Sequence, residues 1–297
     1  VMIADPRILI LDEPDSFLDA SGKDILEAEL TRLHAEQPDL IEIRITQYPD
    51  IAATYPRLLV FAEGKLAADH LPAKIFANEA FCLKAGILAS DSASSKGAAE
   101  SFAPSTAPGM PHSIEIKELS FEYVEDQPVI DELSFTWNRG EVVGLVGDSG
   151  SGKTTLGLLL CGLLKPGNGA ILYFDADNHL LSLQTKPGWV AAVFQQPERQ
   201  FFLSSCREEI AFGPKNLGRH LTESEISALM ELVGLNPHEF LLRDPFTLSM
   251  GEKRRLAFAT ILSMHPPFIV FDEPTCGLDP AGVGKFVELV RNLKQSG

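Results

Sequence analysis

Short apolar runs and one helical pattern alternate at the start of the chain. Ile8–Leu11 is continuously apolar, which is typical of a parallel strand covered on both faces. The stretch after it predicts an amphipathic helix, whose apolar positions are Ile25, Leu26, Leu30 and Leu33. Ile41–Ile45 predicts a second strand. Arg57–Ala62 and Leu66–Ala68, joined at Glu63-Gly64, predict a hairpin.

A longer series of apolar segments follows from residue 113 onward. Ile114–Tyr123 and Leu133–Trp137 predict two strands. Val142–Val146 predicts a fully apolar strand that leads into a glycine-rich turn, and Thr154–Leu164 predicts the helix after that turn. Phe268–Phe271 predicts a further buried strand. This alternation of strands and helices predicts the α/β class.

The start of one helix can be predicted from the sequence. Thr222 and Glu225 stand three residues apart, which is the spacing of a capping box. The helix behind them would bury one apolar face, formed by Ile226, Leu229, Met230 and Val233.

Residues 90–112 divide the chain. They contain no Ile, Leu or Val and are rich in Ser, Ala and Pro, so they bury too little surface to offset the entropy of ordering. We therefore expect a flexible linker here, with a shorter part over residues 1–89 and a longer part over residues 113–297.

The two parts also repeat each other. Asp12-Glu13-Pro14 and Asp272-Glu273-Pro274 differ by 260 positions, and the same shift superimposes Pro6 on Pro266 and Leu18-Asp19 on Leu278-Asp279 without a gap. This register predicts that residues 1–89 are the C-terminal part of the domain that residues 113–297 repeat.

Composition narrows the classes of function. Against 25 Lys and Arg stand 41 Asp and Glu, and the net charge of −16 argues against nucleic acid as the main partner. The four cysteines are too scattered for a zinc site or a disulfide framework. The longest apolar stretch, Leu156–Leu164, is far shorter than the roughly 20 residues that span a bilayer.

A phosphate-binding turn is the strongest chemical signal. Gly147 to Thr154 match the pattern G-x-x-x-x-G-K-[ST] between a predicted strand and a predicted helix. Backbone N–H groups of such a turn converge on phosphate oxygens, Lys153 would contact the outer phosphates, and the Thr154 hydroxyl would hold Mg²⁺. The expected ligand atoms come from Gly147, Asp148, Ser149, Gly150, Ser151, Gly152, Lys153, Thr154 and Thr155.

An acidic pair complements this turn. Asp272 closes the strand Phe268–Phe271 and would hold Mg²⁺ through water, and Glu273 would accept a proton from attacking water. With the phosphate-binding turn, the pair predicts a nucleoside triphosphatase, so ATP or GTP with Mg²⁺ is the expected cofactor.

Leu248-Ser249-Met250-Gly251-Glu252 resembles the L-S-G-G-Q signature of ATP-binding-cassette (ABC) proteins, with Met and Glu as departures. The resemblance implies a P-loop domain with an antiparallel β subdomain and a helical subdomain. It also implies that Ser249 and Gly251 contact ATP held by an opposing domain. A plain helix N-cap at Ser249 is the simpler interpretation.

Further positions resemble the same family. Tyr123 resembles the aromatic residue that stacks on adenine, although a strand tyrosine in an apolar patch explains it as well. Gln195, or Gln196 beside it, resembles the glutamine that senses Mg²⁺ and couples to a membrane partner. Asp279 resembles the aspartate of the D-loop, the segment after the acidic pair.

Residues 197–202 and 209–218 are similar to ATPases of energy-coupling-factor importers, which take up vitamins, cobalt or nickel. The resemblance implies a peripheral ATPase on the cytoplasmic face of the membrane. Its partners would be a membrane scaffold and a substrate-binding membrane subunit. A soluble tandem ABC ATPase that acts on ribosomes or DNA is the alternative, and a non-hydrolysing regulator is a third interpretation.

Domains of this family work as head-to-tail pairs, and each ATP lies between the phosphate-binding turn of one domain and the signature of the other. A turn and a signature in the same domain therefore do not close on the same ATP. In the first part, Gln47 stands where the family has a switch histidine, and Glu13 is the matching general base. The counterpart of Gln47 would be position 307, beyond residue 297. We therefore expect the chain to bind ATP and to lack a complete hydrolytic site by itself.

Overall fold

The computed structural model describes residues 7–15, 18, 20–62, 64–88, 109–276, 278 and 280–296. It divides into two compact units. The front unit comprises residues up to 92 together with 276–284, and the back unit comprises residues 93–275 together with 285–297. Most of the predicted linker, residues 90–108, lies outside the described residues.

The front unit begins with a strand–helix–strand arrangement. Strand β1 (Ile8–Asp12) runs parallel to β2 (Ile41–Ile45), and helix α1 (Ala20–Glu36) connects them. Two of the four predicted apolar helix positions, Leu30 and Leu33, are buried against this pair of strands. These three elements confirm the pattern predicted from the sequence.

The burial predicted for β1 is correct for one face only. Leu9 points into the core and is 3% exposed, whereas Ile8 and Ile10 are 55% and 62% exposed. Alternate residues of a strand point to opposite faces, and α1 packs on the face that carries Leu9. Ile25 of α1 is also exposed, because it lies on the side of the helix that turns away from the strands.

The predicted hairpin is also confirmed. Strands β3 (Leu58–Ala62) and β4 (Lys65–His70) pair antiparallel around Gly64, whose φ of 73° suits a tight turn. Three short helices complete this part, namely α2 (Pro49–Ala52), α3 (Pro72–Phe76) and α4 (Glu79–Lys84). A small core joins Val60, Ile75 and Cys82.

The back unit contains an antiparallel sheet of four strands in the order β6-β5-β7-β8. The strands are β5 (Ser113–Val124), β6 (Gln127–Asn138), β7 (Asn168–Phe174) and β8 (Leu180–Ser182). Both predicted strands of this region are present, and the second is longer than predicted because it begins at Gln127.

Helix α5 (Lys153–Leu160) packs on that sheet and follows the glycine-rich turn. It is shorter than the predicted Thr154–Leu164, because the chain turns at Gly162 with a φ of 72°. Strands β9 (Val190–Val193) and β10 (Phe268–Phe271) form a parallel pair, with Phe268 opposite Val190. The predicted strand at 268–271 is therefore confirmed.

The predicted strand Val142–Val146 is wrong for this structure. Residues 141–148 have no regular secondary structure, and Val146 is 98% exposed. A cavity of about 480 Å³ is lined by Val142–Leu145, by β10 and by Phe286, Val290 and Leu293. A parallel strand forms only with a neighbour in the ladder, and no strand among the described residues pairs with this run.

Helices form the remainder of the back unit. They are α6 (Cys206–Asn216), α7 (Glu223–Leu232), α8 (Pro237–Phe240) and α9 (Met250–Leu262), and α10 (Pro280–Ser296) ends the described chain. The capping box of α7 is present in both directions, and Ile226, Leu229, Met230 and Val233 are buried as predicted. No described helix has the length and apolar character that a membrane span requires.

Candidate nucleotide-binding site

Two glycines shape the turn that precedes α5. Gly150 and Gly152 have φ values of 82° and 90°, which a residue with a side chain adopts at a cost. A Cβ on Gly152 would lie 2.8 Å from the carbonyl oxygen of Val129 on β6, which is a clash. The turn therefore tolerates only glycine at 152, and it points the positive N-terminal end of α5 at any bound anion.

Lys153 lies across this turn. Its Nζ donates to the carbonyl oxygens of Gly147 and Asp148, each at 2.7 Å, and to Ser151 Oγ at 3.3 Å. These bonds hold the ammonium group beside the backbone of the turn. The geometry suits a ligand with several negatively charged oxygens, because an ammonium group and peptide N–H groups are both donors.

Thr154 and Asp272, two of the three residues predicted to hold Mg²⁺, lie together. Thr154 Oγ1 donates to Asp272 Oδ2 at 2.7 Å, although the residues are 118 positions apart in sequence. The backbone of Asp272 is fixed by its N–H, which donates to the carbonyl oxygen of Val193 at 2.9 Å. A hydroxyl and a carboxylate beside a phosphate-binding turn fit the oxygen ligands that Mg²⁺ prefers.

Glu273 is held in an unusual backbone conformation. Its φ is 48°, in the left-handed region that non-glycine residues seldom occupy. Gln195 Nε2 donates to Glu273 Oε2 at 2.7 Å, so the amide of the segment after β9 orients the carboxylate. The neighbouring Gln196 is exposed and begins a short 3₁₀ turn, which favours Gln195 of the two alternatives.

Arg254 is a member of this site that sequence reasoning missed. Its Nη1 donates to the carbonyl oxygen of Glu273, and its Nη2 donates to that of Gln195 at 2.7 Å. The residue is buried on α9, in register with the buried Ala257, Phe258 and Ile261. A charged residue on the apolar stripe of a helix was the signal that could have found it.

Tyr123 stands at the end of β5, beside the phosphate-binding turn. Its hydroxyl lies 3.3 Å from Thr155 Oγ1, and its ring meets Phe121 edge-on. The residue is 59% exposed. This placement fits both the adenine-stacking role and that of a strand tyrosine in an apolar patch.

The signature segment begins α9. Ser249 is its N-cap, and a capping box joins Ser249 and Glu252 in both directions. Met250 is the first helical residue and does not have a positive φ, so its side chain fits where the family has glycine. Burial opposes ionisation of Glu252, but hydrogen bonds from Ser249 outweigh it and lower the pKa of that carboxyl. The N-cap role of Ser249 is thus present, and it leaves the phosphate-contacting role open.

The front unit holds a second glutamine–glutamate pair. Gln47 Nε2 donates to Glu13 Oε2 at 3.5 Å, and Glu13 has a φ of 44°. Its backbone N–H donates to the carbonyl oxygen of Ile45 at the end of β2. The predicted D-loop residue Asp279 and Asp19, which the repeat aligns with it, both lie outside the described residues.

The thiols of Cys161 and Cys206 are not suited to this chemistry. Burial raises the pKa of Cys161 to about 12 and that of Cys206 to about 11. Both thiols therefore stay protonated at neutral pH, which makes them poor nucleophiles and poor metal ligands.

Comparisons with known proteins agree with this geometry. Residues 130–276 match the family described as ABC transporter. A protein of Pyrococcus horikoshii, named among the ABC transporter ATP-binding proteins, is 42% identical over 188 residues, which cover 62% of this chain and 70% of that protein. The energy-coupling factor transporter ATP-binding protein EcfA2 of Clostridioides difficile is 42% identical over 193 residues, 62% of this chain and 66% of its own length.

The chain is also similar to a solved structure. CbiO1 of Clostridium perfringens, described as part of the ABC transporter complex CbiONQ, is 29% identical with a TM-score of 0.51, over 62% of this chain and 74% of that one. With the phosphate-binding turn, the acidic pair and the signature helix in place, the chain belongs to the ABC transporter family, among the ATPases of energy-coupling-factor type.

Proposed function

We propose that this chain is the ATP-binding and hydrolysing subunit of an energy-coupling-factor importer for a vitamin or for cobalt or nickel. One observation carries the proposal: Thr154 with Asp272, and Gln195 with Glu273, come together beside the turn that Lys153 crosses. The names of the relatives support the transporter context.

The chain's own groups account for nucleotide binding. The N–H groups of residues 147–155 and the ammonium of Lys153 would bind the phosphates of ATP, and Tyr123 would stack on adenine. Thr154, Asp272 and Gln195 would hold Mg²⁺, directly or through water, and the ion would neutralise charge on the outer phosphates. Glu273 would accept the proton of the attacking water, with Gln195 holding the carboxylate in place.

Hydrolysis would need two domains. In the proposed arrangement, Ser249 and Gly251 bind the γ-phosphate of ATP held by an opposing domain, so that ATP joins the pair and hydrolysis releases it. We propose that residues 1–89 are the C-terminal part of the domain that pairs with the back unit in this way. Glu13 and Gln47 would then serve the second ATP.

An exposed apolar patch on the helical part of the back unit would receive the membrane scaffold. Phe202 and Phe212 meet edge-on with centroids 4.7 Å apart, and they are 60% and 38% exposed. The patch lies in the segment that follows Gln195 in sequence. Docking there would link membrane subunits to the glutamine beside Glu273, and it would place the chain at the cytoplasmic face of the membrane.

The first test is nucleotide affinity. Lys153→Ala is expected to weaken ATP binding by about 10-fold or more, because the variant loses a charge-assisted contact to phosphate. Lys165→Ala is the matched control, since Lys165 is an exposed lysine shortly after α5. Titration of the purified chain with a fluorescent ATP analogue measures both. Unchanged affinity in Lys153→Ala would refute the site and the transporter function with it.

The second test is the partner. Phe202→Asp is expected to abolish co-purification with an energy-coupling-factor membrane scaffold, while Leu183→Asp, at an equally exposed position outside the patch, is expected to retain it. Co-purification with ribosomes in place of the scaffold would favour the soluble-factor alternative. Absence of ATP turnover by the scaffold-bound protein, with both ATP sites of the domain pair complete, would favour a non-hydrolysing regulator.

A further inference from the structure

A buried arginine connects the signature helix to the predicted catalytic pair. Arg254 is 1% exposed and lies five residues after Ser249, in the first turns of α9. Its guanidinium donates to the carbonyl oxygens of Gln195 and Glu273, which are 59 and 19 positions away in sequence. One side chain therefore links its own helix to two other segments of the back unit.

The two carbonyls belong to the residues whose side chains form the functional contact. Gln195 Nε2 and Glu273 Oε2 are 2.7 Å apart. Because Arg254 fixes the backbones of both residues, it fixes the distance that their side chains have to bridge. Glu273 is also held at a φ of 48°, a conformation that persists only where surrounding contacts impose it.

The chemistry of this contact requires arginine. A guanidinium presents five N–H donors in a rigid plane, so it reaches two acceptors in different directions at once. A lysine ammonium at the same position keeps the charge but is a compact group on a flexible stem. The two carbonyl contacts thus distinguish Arg254 from a residue that is merely charged and buried.

We propose that Arg254 is a positioning residue. It couples phosphate binding by the signature residue Ser249 to the alignment of the Gln195–Glu273 pair. The proposal rests on the proposed function. Ser249 and Arg254 lie on one helix about 7 Å apart along its axis, so α9 carries them as one body. When Ser249 binds a phosphate across the domain pair, the movement of α9 is transmitted through the guanidinium to both carbonyls, and the carboxylate of Glu273 is aligned.

The test compares Arg254→Lys and Arg254→Met with Arg255→Met in the scaffold-bound protein in which the opposing domain completes the ATP site. Arg255 is the next residue on α9 and is half-buried, and neither Gln195 nor Glu273 is its hydrogen-bond partner. We expect both Arg254 variants to lower kcat about 10-fold or more with KM for ATP changed less than about 3-fold, because misplaced catalytic groups cost rate. Arg255→Met is expected to keep wild-type kcat.

A second measurement separates coupling from simple stability. Ser249→Ala should lower kcat in the wild-type background and have little further effect in Arg254→Lys, since the path to Glu273 is already broken. Amide hydrogen exchange of residues 194–196 and of residues 272, 273 and 275 should rise about 10-fold in the purified Arg254 variants, whereas ATP affinity is retained. This last readout needs no turnover, so it tests the bridge even where the transporter function fails.

Three results would overturn the proposal: wild-type kcat and exchange in Arg254→Lys, an equal loss in Arg255→Met, or fully additive effects of Ser249→Ala and Arg254→Lys. Should Arg254→Met fail to fold, Arg254→Lys carries the test, because it keeps the charge and most of the volume. Loss of ATP affinity in both Arg254 variants, equal to that of Lys153→Ala, would also count against a positioning role.

Discussion

Each of the two units has a glutamate shortly after a strand, with the same backbone conformation. The hydrogen-bond contacts of the two carboxylates differ. In the front unit, β1 ends at Asp12 and α1 spans residues 20–36. Strand β10 of the back unit ends at Phe271, and the next helix, α10, spans residues 280–296, so the bounds of the two helices differ by 260 positions. Glu13 and Glu273 follow these strands with φ values of 44° and 48°. This agreement supports the proposal that the front unit is a partial copy.

The partners of the two carboxylates differ. Glu13 meets Gln47, which follows strand β2, at 3.5 Å. Glu273 meets Gln195, which follows strand β9, at 2.7 Å, and its carbonyl also binds Arg254. The same local sequence thus accompanies the same backbone conformation at each glutamate, whereas the contacts from distant segments differ. The comparison predicts that the two glutamates contribute unequally to ATP turnover.

The largest expected effect comes from neutralising the two glutamates one at a time. Glu273→Gln should reduce ATP turnover about 100-fold or more and leave ATP affinity intact, because a general base contributes about 10² to 10⁴ in rate. Glu13→Gln should cost much less. Steady-state kinetics of the scaffold-bound protein, with both ATP sites of the domain pair complete, measures both. Equal losses would break the comparison and show that both carboxylates act as bases.

Gly152→Ala should have the next largest effect on stability and ATP affinity. Gly64→Ala in the front unit is the variant compared with it. Both glycines have positive φ, but only at Gly152 would a Cβ meet a backbone oxygen, whereas nothing lies within 4 Å of a Cβ at Gly64. We expect about 1–2 kcal/mol of destabilisation for Gly64→Ala and more for Gly152→Ala, with a loss of ATP affinity in Gly152→Ala alone. Urea unfolding and nucleotide titration decide this, and equal stability losses would contradict the clash.

Sequence predicted what short-range signals determine. The turn at Gly147 to Thr154, the strand end at Asp272 and the capping box at Thr222 all depend on residues within a few positions of one another. Glycine conformations, strand length and cap hydrogen bonds are local properties, so a single sequence carries them. Their places in the structure agree with the predictions.

Sequence did not predict what depends on a distant partner. The run Val142–Val146 is apolar enough for a central strand, but apolarity specifies burial and not the neighbouring strand that supplies hydrogen bonds. Arg254 stands in the basic run Lys253-Arg254-Arg255. A basic run of this kind usually lies on a solvated surface. Only its helical spacing to the buried positions 257, 258 and 261 places Arg254 on the buried face of α9.

A smaller effect on ATP turnover is expected from a substitution at Gln47 in the front unit. Gln47→His should raise ATP turnover by about 3-fold or more, because imidazole donates a hydrogen bond and can also carry charge near neutral pH, whereas an amide cannot. The measurement is turnover, at pH 6 and pH 8, of the scaffold-bound protein in which both ATP sites of the domain pair are complete. No gain at either pH would show that the glutamine already serves the front site adequately.

The smallest expected effect contrasts a neutral helix cap in the front unit with a charged one in the back unit. Asn78 caps α4 through its side-chain oxygen, which accepts from the N–H of Phe81. Glu225 completes the capping box of α7, and hydrogen bonds from the Thr222 backbone and hydroxyl, with Arg219 nearby, hold the pKa of its carboxyl below the ordinary value.

The sign of the pH dependence follows from that lowered pKa. A carboxyl with a depressed folded-state pKa stabilises the fold above its unfolded pKa of about 4.3, and this stabilisation disappears as the pH falls through the folded value. Glu225→Gln should therefore lower the thermal midpoint by about 1–2 °C at pH 7 and make no difference near pH 2.5. Asn78→Ala should cost a similar amount at both pH values, since amides do not titrate. Calorimetry on both variants measures this, and a pH-independent cost for Glu225→Gln would mean that its charge contributes nothing to the cap.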